Sequence, residues 1–109
     1  MAKFSAFIII LLPFCSYADY FPVTGKVTLI HNWESHGGHL IKLEYMSKTS
    51  ELCARNDHYI LPKNHPFAKE NYSLLVAARV ADKPITVAFS DDATNKCFEN
   101  FPRVFHMRF

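Results

Sequence analysis

Glycine is scarce, with 3 in 109 residues, and tryptophan occurs once. So little glycine excludes a collagen-like repeat, and with 6 prolines and no periodic repetition the low-complexity and solenoid classes go as well. Charge of one sign is also lacking. Lysine and arginine number 12 against 10 acidic residues, a formal net charge of +2, so no block of charge drives binding to a polyanion. No apolar run reaches the roughly 20 residues that a membrane-spanning helix needs, which argues against membrane insertion. A phosphate-cradling glycine loop, the G-x-S-x-G elbow and the H-E-x-x-H zinc motif are all missing, and no motif announces an enzyme or a cofactor.

What the chain does have is apolar material. Half of its residues are apolar or aromatic and 20% are charged, which excludes intrinsic disorder and fits a single small globular domain. Its first eighteen residues read differently from the rest. Met1 to Lys3 form a short basic start, Phe4 to Phe14 are apolar apart from Ser5, and Ser16-Tyr17-Ala18 places small residues before a cut. The expectation is a secretory signal over residues 1–18, cleaved after Ala18, and a secreted or periplasmic domain over residues 19–109. Cleavage removes Cys15. The two cysteines that remain, Cys53 and Cys97, meet an oxidising compartment and have one possible pairing, a disulfide closing a loop of about 45 residues and worth roughly 4 kcal/mol on the chain-entropy model.

Along the expected domain, Asp19 to Thr24 is a short lead-in. Lys26 to Trp33 alternates, with Val27, Leu29, His31 and Trp33 on one face, and so reads as a strand. Glu34 to Gly38 is a turn whose paired glycines suit positive φ, and His39 to Met46 is the second strand of a hairpin. Leu52 to Leu61 predicts a third, irregular strand carrying Cys53. Phe67 to Asp82 lacks internal Pro and Gly, is rich in Ala, Leu, Lys, Glu and Arg, and predicts a helix ended by Pro84. Ile85 to Phe89 and Val104 to Phe109 are the last two strands. Three strands, a helix and two strands give the order of a mainly β, five-stranded Greek-key OB-fold barrel with one helix between strands three and four.

The segments Val23-Thr24-Gly25-Lys26-Val27-Thr28-Leu29-Ile30, Tyr72-Ser73-Leu74-Leu75-Val76-Ala77-Ala78 and Lys83-Pro84-Ile85-Thr86-Val87, together with Cys53 and Cys97, resemble the B-subunit family of bacterial AB5 toxins related to subtilase cytotoxin and typhoid toxin. The resemblance implies an OB-fold, a ring-shaped homopentamer, association with an enzymatic A subunit, and recognition of sialylated glycans on host cells. It also implies site residues. Thr24 stands where those relatives place a small hydroxyl residue that contacts the sugar. Phe89 stands where they have a tyrosine, so it keeps a stacking face but no phenolic hydroxyl. Lys26 adds a charge for a carboxylate, which makes the candidate glycan site Thr24, Lys26 and Phe89. Each residue also has an ordinary reading, as a turn residue, a solvated strand charge and barrel core respectively. The alternative for the whole chain is a small periplasmic structural or interaction protein that has the fold without the sugar pocket.

Three further features have plain readings. His31, His36 and His39 lie around the first hairpin without a metal-site spacing, and no metal is expected. Trp33 and Tyr45 offer stacking faces, but a nearly neutral chain with a secretory leader argues against nucleic acid. Asn71-Tyr72-Ser73 is formally an N-glycosylation acceptor inside the predicted helix.

Overall fold

The structure is a computed structural model describing residues 20–109, so the expected leader over residues 1–18 and its cleavage point lie outside the described residues. The described chain is mainly β, with one α-helix and antiparallel sheets. β1 (Tyr20–Gly25) and β2 (Val27–Asn32) form one run of chain, broken only at Lys26. They belong to different sheets. β1 pairs antiparallel with β5 (Ile85–Ser90), from Tyr20 opposite Ser90 to Gly25 opposite Ile85, and β5 then pairs with β8 (His106–Arg108). The sequence alone predicts only a short lead-in where β1 lies. Pro22 faces Ala88 on an edge strand, where a missing N–H costs no ladder bond on the open side.

β2 forms the expected hairpin with β3 (Gly38–Leu43), Asn32 opposite His39, with a register shift between Val27 and Leu29. The glycines of its turn play a different role from the expected one. None of the chain's three glycines has positive φ. Gly38 is needed for close approach instead, since a Cβ there would lie 2.3 Å from the Leu61 carbonyl oxygen and 2.9 Å from Pro62 Cα. Those atoms belong to β4 (Tyr59–Pro62), which pairs with β3 and is all that forms of the strand predicted over Leu52 to Leu61. Earlier in that stretch the Cys53 N–H goes to Asn56 Oδ1 at 2.9 Å and the Arg55 N–H to the Asn100 carbonyl at 2.8 Å. Those donors are spent on a local turn and a distant loop.

α1 (Ala68–Ala81) is one residue shorter at each end than predicted, and it buries Asn71, Leu75 and Ala78. Asp82 stops it. This residue takes a left-handed conformation, φ 57°, and returns its N–H to the carbonyls of the last turn, so the helix ends before Pro84. Beyond β5, the short strands β6 (Cys97–Phe98) and β7 (Phe101–Pro102) pair across Glu99 and Asn100, both at positive φ as a tight two-residue turn requires. The Cys53–Cys97 disulfide is present, with Cα atoms 5.9 Å apart, and fastens the loop before β4 to β6.

The core lies between the two three-stranded sheets and α1, built on Val27, Ile41, Tyr59, Leu61, Leu75, Val87, Phe89 and Val104. Its one buried hydroxyl pair is Thr49 Oγ1 and Tyr59 Oη, 3.0 Å apart, and burial raises the Tyr59 phenol above its usual value. At Arg103 the chain lies parallel to Ile60 of β4. Val104 then donates to the Ile60 carbonyl and Phe105 to that of Ala88, both at 2.9 Å. Residues 103–105 thus pass from the edge of one sheet to the edge of the other. The ladders form separate sheets rather than one closed barrel.

Candidate functional site

The bend at Gly25 and Lys26 brings the end of β1 close to the chain that follows β3. There a cavity of about 400 Å³ is lined by Pro22, Val23, Thr24, Tyr45, Ser47 and Lys48. Alternation along β1 buries Val23 and turns Thr24 outward. Across the opening, Tyr45 is 64% exposed, and Ser47 and Lys48 open the single helical turn Ser47–Thr49. Thr49 is wholly buried against Tyr59, so it anchors this turn while its neighbours face solvent.

The polar groups are partly engaged. Thr24 Oγ1 lies 2.8 Å from Thr86 Oγ1, its cross-strand neighbour, and Lys48 Nζ donates to the Pro22 carbonyl at 3.3 Å. Both contacts are exposed, where exchange for a ligand oxygen is cheap. The cavity therefore presents two hydroxyls, an ammonium and an aromatic face within one concave surface. That set suits a polar ligand with an apolar side and an anionic group.

Of the three residues expected at a glycan site, only Thr24 lines this cavity. Lys26 is drawn elsewhere, with its Nζ 3.3 Å from Asp82 Oδ2 at the end of α1 and its backbone N–H on Glu44 Oε1. Phe89 is 0% exposed, between Phe21 and Tyr59 with ring centroids at 6.0 and 4.4 Å. It offers no face to a ligand. The correction follows from strand alternation, because Ile85, Val87 and Phe89 share the inward face of β5 and the core fills it. From the sequence Tyr45 is only a stacking face, and Ser47 and Lys48 are not singled out, since a tyrosine and a polar turn after a strand carry no local sign of standing opposite Thr24.

The three histidines of the hairpin do separate things. His36 Nδ1 donates to Glu99 Oε1 at 2.8 Å, His39 contacts Asn32, and His31 stacks on Trp33 with ring centroids 5.4 Å apart. Among the described residues no group of three or more His, Cys, Asp or Glu is placed to hold a metal ion, and no helix is long and apolar enough to cross a membrane. Asn71, the formal glycosylation acceptor, is 5% exposed and so is closed to modification in the folded chain. Compared with protein families, curated proteins and solved structures, the chain finds no match.

Proposed function

We propose that this protein is a secreted or periplasmic glycan-binding module with a small OB-type barrel, similar to AB5-toxin B subunits, that takes a sialylated glycan in the cavity beside Thr24. The observation that carries the reading is the cavity's chemistry. Tyr45 supplies a face for the apolar side of a sugar ring, Thr24 and Ser47 supply hydroxyls, and the Lys48 ammonium pairs with a carboxylate. Lys48 replaces Lys26 in that role and Tyr45 replaces Phe89.

Support for the barrel comes from strand neighbours. The bent β1–β2 run serves both sheets, and the parallel contact of Ile60 with Arg103 joins β4 to the segment that leads into β8. Both contacts support the neighbour order that an OB-fold needs, with α1 between the third and fourth strands. Assembly as a homopentamer, with an enzymatic A subunit as a possible companion, belongs to the same reading. The exposed apolar side chains of α1, Val76 and Val80, support it as surface that association would cover.

Binding to a glycan array, followed by titration of the best ligand against variants, tests the reading. Thr24→Ala removes a hydroxyl bonded only to another exposed hydroxyl, so it costs at most about 1 kcal/mol of stability. Loss of a hydrogen bond to the sugar weakens binding about tenfold, and Lys48→Gln weakens a carboxylate-bearing glycan by about tenfold to a hundredfold. Equal binding by wild type and both variants refutes the site. A second reading, a periplasmic interaction protein without a sugar pocket, is favoured by one fact. Thr24 and Lys48 already have partners within the chain. An array on which no glycan binds selects it.

A further inference from the structure

At the start of α1, on a different part of the surface from Thr24, lies a larger cavity of about 510 Å³ lined by His65, Phe67, Asn71, Arg103, Phe105 and Met107, among others. Its walls are mostly apolar. Phe67 stands exposed on the lip, and Met107 and Phe105 come from the closing strand segment. His65 fixes the geometry between them. Its Nε2 donates to the Phe105 carbonyl at 2.7 Å, and its Nδ1 accepts the Phe67 N–H at 3.0 Å, so the ring ties the helix entrance to the last strand.

Two polar groups in this lining lack what their surroundings demand. Asn71 is 5% exposed, and its Nδ2 is buried without a hydrogen-bond partner. A buried amide donor is normally satisfied, so an orphaned one in the wall of a cavity needs an explanation. Arg103 is the second. Its guanidinium sits 6.0 Å from the Phe105 ring centroid and forms no ion pair among the described residues, and burial lowers its pKa from the usual value. Glu70 also lines the cavity, and it is the one acidic side chain there.

We infer that this cavity is a second ligand site, one that takes a small carboxylic acid with an apolar body. The hydrocarbon lies between Phe67, Phe105 and Met107, while one carboxylate oxygen accepts from Asn71 Nδ2 and the charge pairs with Arg103. Phe67, exposed on the lip with its ring 6.5 Å from that of His65, is the side chain whose rotation admits the acid to the buried amide. The carboxylate faces three ionisable side chains of the lining besides Arg103. Glu70 opposes its charge, and His65 and His106 flank the apolar part. A neutral amide of the same shape keeps the bond to Asn71 but loses the ion pair.

Titration of the protein with phenylacetate and octanoate, and with phenylacetamide and octanamide as neutral counterparts, tests the site by NMR of the asparagine side-chain amides. An acid is expected to bind saturably, to move the Asn71 side-chain resonance, and to bind about tenfold more tightly than its amide. Arg103→Gln is expected to abolish that preference for acid over amide, and Asn71→Leu to weaken both ligands about tenfold. A tripeptide ending in phenylalanine, run alongside, distinguishes a protein C-terminus from a free acid as the source of the same chemistry. Absence of saturable binding by any of these compounds overturns the proposal. So does acid binding that leaves the Asn71 resonance in place and is indifferent to Arg103→Gln, a variant at a half-buried position outside the core.

Discussion

Substituting alanine at each of the three glycines provides a graded test of the strand packing. None of them has positive φ, so backbone strain drops out and only the space around the new methyl group matters. At Gly25 the nearest atoms lie 3.5 Å away, an ordinary contact, so Gly25→Ala is expected to be neutral or to stabilise by about 0.5 kcal/mol through the unfolded chain. At Gly37 the methyl meets Glu99 Oε2 at 2.9 Å, the end of a flexible side chain that also accepts the Gly37 N–H at 2.7 Å. That carboxylate shifts and the Phe98 ring, 3.2 Å from the methyl, gives way by a few tenths of an ångström, at a cost of about 1 to 2 kcal/mol. At Gly38 the obstacle is the Leu61 carbonyl oxygen at 2.3 Å, which is main chain of β4 and is held by pairing with β3. Relief requires the strands to part, and the cost is about 3 kcal/mol or more. Urea denaturation followed by far-UV circular dichroism ranks the three variants. A Gly38→Ala protein as stable as Gly25→Ala would mean that Gly38 does not face Pro62, and the β3–β4 register described above would be wrong.

Replacing both Cys53 and Cys97 by serine is expected to cost roughly 4 kcal/mol, lowering the thermal midpoint by about 15 °C or more, as scanning calorimetry would show; a loss below about 1 kcal/mol refutes the loop-closure account. Glu99 has its carboxyl held below the usual glutamate range, first by the hydrogen bond from His36 and then by the Gly37 N–H. Because the folded value is the depressed one, this stabilisation is fully present above the unfolded carboxylate's pKa and is lost as pH falls through the folded value. Glu99→Gln should therefore flatten the acid limb of the stability curve, and an unchanged limb in stepwise urea titrations would refute the linkage. On the proposed homopentameric assembly, Val80→Asp at a side chain 81% exposed on α1 should leave the fold intact and shift the mass seen by light scattering to that of the monomer, and an unchanged oligomer would refute α1 as its contact.

The helix and the first hairpin were readable because their patterns are local. Absence of proline and glycine over residues 67–82 sets α1, and the alternation from Val27 onward sets β2. The third strand was readable only at its end, Tyr59 to Leu61, and its start at Leu52 was not borne out. All four residues of β4 are buried, so no alternation exists there, and the turn at Cys53 to Asn56 depends on a side-chain hydrogen bond that composition does not reveal. β1 was legible only as a lead-in, and only the sheet order shows that its strand is an edge. At the candidate site, Thr24 was singled out by the resemblance, and it lines the cavity beside β1. Tyr45 was legible as a stacking face but not as a neighbour of Thr24, and Lys48 was not legible, since both meet β1 only through a long-range approach. Phe89 shows the opposite hazard, for an aromatic at a strand end suits a ligand face and a core equally, and only the position of Tyr59 against it decides.

The pairing of β1 with β5 sets a timetable for the nascent chain. Gly25 is synthesised early and Ile85 late, so the first strand waits through the hairpin, the loop of Cys53 and the whole of α1 before its partner exists. The hairpin β2–β3 closes over a short loop and needs only microseconds, whereas β1 docks by closing a long one. Until it does, Tyr20 to Gly25 is an unprotected edge, open to capture by any other extended chain.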